Sequence, residues 1–396
     1  VTIYADGVVT APFANGVFAE AVYAGDEKVW PVGIDTHVYT PRSGIGNGGE
    51  SANGQTWSAF IAGQGRILFS RNVGGGGATN ELNVNTMWLE QMSGTATGVP
   101  TSQMLAATPD GSKVFFTQNN PGGVIVFDTV TNKAVATLDS GVPAFGVTVA
   151  AGKVWVSHRN AKVVTVYDAN THAKITTIPV TNGTEQLAAN PQESGVFAAS
   201  PAGKCVYAIS TTSNTITKTI TDPAGVGKGI AANQQGIYSS AGNQVTQLNA
   251  ATGTVITRYT APDATHVFNS LTAFSANGEH RLYACSPVAD AVYAFGFDSG
   301  GVGFLRKIIQ LPDLTGPVHL SVYRDGAWGV TANGDTNNAA KNNHCVLYLG
   351  QPGAVALSAF KIAPEDRWVV DPEHDAYPEL PPQEMPDPEP PEEPMG

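Results

Sequence analysis

Charge is scarce in this chain. Asp, Glu, Lys and Arg make up 14% of its 396 residues, against roughly 25% in an average globular protein. Gly, Ala, Thr, Asn and Ser take their place, a composition in keeping with an all-β protein of an extracellular or particle surface. Basic residues are absent after Arg367, while residues 371–396 hold nine acids. With that segment set aside, the net charge of −12 shrinks to −3 over residues 1–370. No basic surface of the kind that releases counterions from nucleic acid is present, so nucleic-acid binding is disfavoured.

Cysteine is nearly missing as well. Cys205, Cys285 and Cys345 lie far apart without a CxxC pair; no disulfide framework is expected, although one bridge plus a free thiol stays open. No run approaches the roughly 18 apolar residues of a membrane-spanning helix. The opening VTIYADGVVTAPF has neither a charged region nor a long apolar run, so no signal peptide is expected in it. A leader or an initiator Met removed before Val1 would leave the same beginning.

What is present is a repeat. Residues 105–138, 147–178, 187–220 and 230–259 superimpose: a short run of small and apolar residues, a turn (PDG, AAG, QESG, NQQG), an aromatic-bearing strand, a strand ending in a polar residue, a turn, and an alternating strand. The polar residues are Asp128, Asp168, Ser210 and Asn249, and three positions later stand Thr131, Thr171, Ser213 and Thr252. Asp, Asn or Ser accepts a backbone N–H about two residues on and tightens a hairpin, with the hydroxyl supporting the same turn. The aromatic recurs as Trp30, Phe69, Phe115, Trp155, Phe197, Tyr238, Tyr283 and Trp328, at gaps of 39 to 46 residues.

A period near 40–45 residues with four short strands predicts a β-propeller, all-β, of four-stranded blades. A lone four-stranded sheet cannot cover its own two faces, and radial packing covers both. Seven complete units are expected from about Trp57 to Ile362. Residues 1–56 read as an N-terminal extension or an extra partial blade, since residues 20–40 resemble three strands of an eighth. Residues 57–362 are then the blades and residues 363–396 an acidic, proline-rich extended tail.

The stretch KVWVSHRNAKVVTVYDANTHAKITTIPV resembles the YVTN family of β-propeller repeats, specifically over residues 103–260 and loosely in the flanking units. The resemblance implies a propeller and, often, an extracellular or surface location; similar propellers occur in phage particles. It implies no catalytic set.

Nine of residues 371–396 are Pro and none is basic, so this segment reads as polyproline II or disorder. It serves either as a solvated tail or as a docking arm. In the second case Tyr377, Leu380 and Met385, stiffened by Pro381, Pro382 and Pro386, would be the partner-binding residues.

Chemistry-bearing motifs are few. Of eight histidines (His37, His158, His172, His266, His280, His319, His344, His374), His319 in VHLSV sits on an expected inner strand, and it has no repeated partner, so a packing role is expected. Asn333, Asp335 and Asn337 resemble a calcium loop faintly but lack its Gly and Glu, and read as a polar turn. The glycine runs at 44–49 and 74–77 lack the GK[ST] ending of a phosphate loop, and no GxSxG elbow occurs. Asn182-Gly183-Thr184 is a lone glycosylation sequon.

The expectation is therefore a non-enzymatic structural or adhesive propeller on a virus particle, with a bacteriophage virion preferred, or on a cell surface. It docks to other subunits through its tail, with a cell-surface glycan as a further partner, and needs no cofactor and no metal. The alternatives are a lactonase-like propeller hydrolase with a site at the central channel and a carbohydrate-binding propeller.

Overall fold

The computed structural model describes residues 55–71, 78–83, 88–93, 99, 102–276, 278–311, 316–322, 328–333 and 345–349, with five short strands at 13–14, 17–18, 22–24, 27–30 and 38–39. The described residues form strands and turns, with no helix long and apolar enough to cross a membrane among them. Everything after Leu349, including Tyr377, Leu380, Pro381, Pro382, Met385 and Pro386, lies outside the described residues, as do the glycine runs at 44–49 and 74–77.

Seven four-stranded antiparallel sheets follow one another. Blade 1 comprises Gln55–Ile61, Arg66–Arg71, Ala78–Asn83 and Trp88–Ser93. Blade 2 spans Leu105–Ala107 to Lys133–Leu138, blade 3 Val147–Ala150 to Lys174–Pro179, and blade 4 Leu187–Ala189 to Thr215–Thr221. Blade 5 spans Ile230–Asn233 to Val255–Thr260, and blade 6 Ser270–Ala276 to Gly303–Gln310. The first strands of blades 1 to 7 touch in cyclic order, and that of blade 7 touches that of blade 1, so the ring is closed around its inner strands.

Blade 7 is built differently. Its first three strands are Pro317–Val322, Trp328–Asn333 and Val346–Tyr348, and its fourth is Val38–Tyr39, paired antiparallel through Val346 with Tyr39 and Leu347 with Val38. The expectation that seven units run unbroken from Trp57 to Ile362 is amended accordingly. The strand Glu27–Trp30 that carries the eighth aromatic pairs only with Val22–Ala24 in a two-stranded ladder. A ring has no free end at which to stop, so pairing an early strand with the last sheet ties two distant parts of the chain together and covers an edge.

The repeating aromatic explains the packing. Second strands are buried along nearly their whole length (KVWVSH, for example), whereas fourth strands alternate exposed and covered residues. Phe115 packs with Val154, Val156 and Tyr167 of blade 3; Trp155 with Val196, Tyr207 and Ile209 of blade 4. Phe197 meets Ile230, Ile237 and Leu248 of blade 5, Tyr238 meets Leu282 and Tyr293 of blade 6, and Tyr283 meets Leu320 and Leu347 of blade 7. Each aromatic thus fills the wedge between its own blade and the next. Burying such a side chain contributes roughly 1.5–3 kcal/mol.

The polar repeat does what its spacing predicts. The Asp128 carboxylate accepts from the N–H of Val130 and Thr131 and from the Thr131 hydroxyl, and Asp168 accepts from the N–H of Asn170 and Thr171. Ser210 accepts from Ser213, and Asn249 from Ala251 and Thr252. One residue beyond each Thr or Ser the backbone is left-handed, at Asn132, His172, Asn214 and Gly253. Asn, His and Gly are among the residues that tolerate that region best. In each blade from 2 to 6 a register shift follows within the pairing of third and fourth strands, and such a bulge adds local twist.

Candidate functional site

The place to look for chemistry is the face where inner strands begin, because the polar residues of successive blades converge there. Ser157, two residues after Trp155, donates its hydroxyl to the Glu185 carbonyl of blade 4's lead-in and accepts the Gly146 N–H at 2.7 Å. Thr117 donates likewise to the Phe145 carbonyl at 2.7 Å, and Ser70 to the Gln103 carbonyl at 3.2 Å. Three consecutive junctions are therefore clasped by a hydroxyl of one blade on a carbonyl of the next. Gly146 has no alternative: a Cβ there would lie 2.1 Å from the Glu185 oxygen.

Glu185 and Gln186 follow in the same lead-in. Glu185 is 6% exposed; its Oε1 pairs with the Arg159 guanidinium at 3.1 Å, and that guanidinium lies over the Phe145 ring at 5.0 Å. Gln186 reaches past blade 5 and donates Nε2–H to the Asn269 carbonyl at 3.2 Å. Glu185 Oε2 and Gln186 Oε1 are buried without a hydrogen-bond partner. Neither residue was singled out in the sequence, where nothing repeats with them.

On the opposite face a second set of bonds joins the blades. Arg66 of blade 1 donates to the Thr129 carbonyl at 3.0 Å and to Asn132 Oδ1 at 2.8 Å, both in blade 2's last hairpin. Lys153 of blade 3 does the same to the Thr211 carbonyl and Asn214 Oδ1 of blade 4. Lys218 bonds the Ala251 carbonyl, and Gln247 the Gly301 carbonyl and the Gly303 N–H. The hairpins drawn tight by Asp128, Ser210 and Asn249, and that of Asp298, whose carboxylate accepts the N–H of Gly300 and Val302, are thus the surfaces that a neighbouring blade grips.

The described histidines are spread among structural posts. His319 lies on blade 7's inner strand, as expected, and is stacked on Trp57 of blade 1 with ring centroids 3.7 Å apart. Its Nδ1 faces the Ser58 N–H at 3.3 Å and the Ser58 hydroxyl at 3.1 Å, and that hydroxyl is 2.8 Å from the one on Ser321. Burial alone pushes its pKa down to about 3. His158 Nδ1 bonds the Pro143 carbonyl at 3.0 Å, and burial holds the ring below its ordinary pKa. His172 stands edge-on to Phe115, also held low, first by burial and then by Lys113. His266 meets the Tyr293 hydroxyl at 2.6 Å and His280 the Ser275 hydroxyl at 2.8 Å. No two of these contacts share a centre. Among the described residues no group of three or more His, Cys, Asp and Glu side chains is placed to hold a metal ion.

The remaining sequence candidates fall elsewhere. Asn333 ends a strand and is fully buried, not part of an exposed turn; Asp335 and Asn337 lie outside the described residues. Thr184 of the sequon is fully buried, and Gly183 lies so close to the Arg159 carbonyl that a Cβ would be 2.2 Å away. All three cysteines are buried free thiols, and burial raises Cys285 to about 12 and Cys345 to about 11. A cleft at the junction of blades 6 and 7 has Arg281, Tyr283, Phe295, Arg306, Lys307 and Leu349 along its walls.

With this geometry in place, solved structures give the fold its counterpart. The WD40 repeats of RRP9 superimpose with a TM-score of 0.65 at 10% identity, over 79% of this chain and 97% of that one. The fold is that of a β-propeller. Virginiamycin B lyase from Staphylococcus aureus matches with a TM-score of 0.61 at 13% identity, over 80% of this chain and 99% of the lyase. A chain of the Mitotic Checkpoint Complex matches at 0.58 and 15% identity, over 79% and 94%. Likeness at such identity carries the fold alone. Neither a protein-family model nor a curated protein sequence matches the chain, and the likeness to YVTN repeats rests on the residues quoted for it.

Proposed function

We propose that this propeller is a non-enzymatic structural module that docks to other protein subunits of a particle or surface assembly, using its acidic, proline-rich C-terminal segment as an arm. The observation that carries the reading is the engagement of the ring's polar side chains in holding blades together. Ser70, Thr117 and Ser157 bond carbonyls of the next blade, and Arg66 and Lys153 grip the next hairpin. His319 and Ser58 bridge the two ends of the ring. Groups so committed build a rigid scaffold. The low-charge composition and the YVTN-like residues support a surface or virion setting, a bacteriophage virion in particular. In the arm, Tyr377, Leu380 and Met385 supply apolar anchors, and stiff prolines lower the ordering cost of binding.

Light scattering after gel filtration tests this on the full chain and on a form ending at Asp371. The expected result is an assembled mass for the full chain and a monomer for the shortened one. Monomers in both would sink self-assembly through the arm.

One observation favours a second reading. Buried, unpartnered oxygens on Glu185 and Gln186, at the face where inner strands begin, suit a small donor-rich ligand such as a glycan. A glycan-array signal that disappears in Gln186→Leu would establish it, and a blank array would remove it.

A further inference from the structure

We propose that the outer edge of blade 7 is a contested docking place: Val38–Tyr39 holds it in this structure, and residues 354–362 of the same chain are its alternative occupant. The inference goes beyond the assembly reading above and does not depend on it. In blades 2 to 6 the third strand pairs with its outer neighbour through five to seven residue pairs. Val346–Tyr348 pairs with Val38–Tyr39 through two. The other outer strands also follow their third strand directly in sequence, across a tight turn. At blade 7 the outer strand comes instead from some three hundred positions upstream.

The sequence beyond blade 7's third strand keeps the form of the repeat. Leu349, the last described residue, is buried in the core that blades 6 and 7 share, and its carbonyl accepts from the Arg281 guanidinium at 2.7 Å. Gly350-Gln351-Pro352-Gly353 then reads as a turn and AVALSAFKI, residues 354–362, as a strand. The register agrees. Phe115 pairs with Val126, Trp155 with Val166, Phe197 with Ala208 and Trp328 with Tyr348. Two residues beyond these partners stand Asp128, Asp168, Ser210 and Gly350, and ten residues further come Leu138, Ile178, Ile220 and Phe360. Leu138, Ile178 and Ile220 are each the one buried residue of their outer strand. Residues 354–362 thus bring a large apolar side chain to the position where the repeat buries one.

The two occupants exclude each other. A strand has two edges, and Trp328–Asn333 takes one edge of Val346–Tyr348. The other edge admits a single neighbour. With Val38–Tyr39 in place, an early strand ties the last blade and everything after Leu349 is available for contacts elsewhere. With residues 354–362 in place, blade 7 is completed locally and the N-terminal strand is released. A partner that binds either terminus would bias this exchange by its preference for one of the two states.

Hydrogen exchange on the full chain, read by mass spectrometry, tests the exchange of strands. Val346 and Tyr39 are direct partners, so Val346→Cys/Tyr39→Cys, oxidised to a disulfide, locks the observed occupant in place. Peptides covering residues 354–362 are expected to show partial protection in the unaltered chain, to lose it in the locked form and to regain it on reduction. Equal protection with and without the lock would put this segment elsewhere, and no protection in either would mean that it forms no strand; both results overturn the proposal. A second variant works from the other side and leaves the described strands of blade 7 untouched. Leu357→Pro/Ser358→Pro removes two neighbouring N–H donors, one of which faces the ladder in either orientation. The peptide carrying Val38–Tyr39 should then gain protection, and an unchanged exchange rate there would contradict the competition.

Discussion

Between blades 3 and 4 the junction is made by residues that recur. Trp155 fills the wedge, Ser157 clasps the Glu185 carbonyl on one face, and Lys153 grips Asn214 on the other. Between blades 7 and 1 it is made by residues that occur once: Trp57 stacked on His319, with Ser58 and Ser321 hydroxyls 2.8 Å apart. The ordinary junction is apolar in its centre and polar at its rims. The closing junction puts a buried imidazole on its inner strand, stacked against the indole of the next blade. A repeat can specify every junction except the one at which the chain must meet itself, and there the solution is idiosyncratic. That junction also carries the outer strand Val38–Tyr39 from far upstream.

The largest expected effect comes from removing the wedge. Trp155→Ala should lower unfolding stability by about 3–5 kcal/mol, because the indole is fully buried and its cavity cannot collapse between two rigid sheets. Chemical denaturation measures it. The closing junction should instead reveal itself through pH. His319 is held near pKa 3 in the folded chain and returns to about 6.5 when unfolded. The unfolded chain therefore binds more protons between these values. Stability is complete above about pH 6.5 and declines as pH falls toward 3, by about 2 kcal/mol on reaching pH 5. His319→Gln should flatten this decline in melting curves recorded from pH 7 to 5; an unchanged slope would assign it elsewhere.

Smaller effects separate the two rims of the ordinary junction. Ser157→Ala should cost about 1–2 kcal/mol, since it strips a donor from the Glu185 carbonyl and an acceptor from the Gly146 N–H. Lys153→Ala, half-covered at the opposite rim, should cost about 0.5–1 kcal/mol. Reversal of that order would mean that the hairpin grip, not the hydroxyl clasp, dominates the junction.

Much of the fold was legible because each repeat must solve the same local problem. Phe115, Trp155, Phe197, Tyr238 and Tyr283 recur because each wedge needs one large ring, and Asp128, Asp168, Ser210 and Asn249 recur because each hairpin needs an acceptor. The hydroxyl clasps leave a signal in the sequence, an aromatic followed two residues later by Thr117 or Ser157, but Ala199 and Cys285 interrupt the series. The grip by Lys153, two residues ahead of its aromatic, was equally visible in the sequence. The closing strand was not legible at all: Val38–Tyr39 contributes two residues, too few to show a period, and its partner lies some three hundred positions away. Glu185 and Gln186 were invisible for a related reason. Their surroundings come from Arg159 and Asn269, which only the ring brings near.

Hydrogen exchange followed by mass spectrometry at pH 7 and pH 5, corrected for intrinsic rates, tests the contrast between the junctions most directly. The account predicts that acid first opens the peptides carrying Trp57–Ile61 and Pro317–Val322, while those carrying Lys153–His158 and Leu187–Ala189 keep their protection. Loss spread evenly around the ring, or beginning at blades 3 and 4, would contradict it.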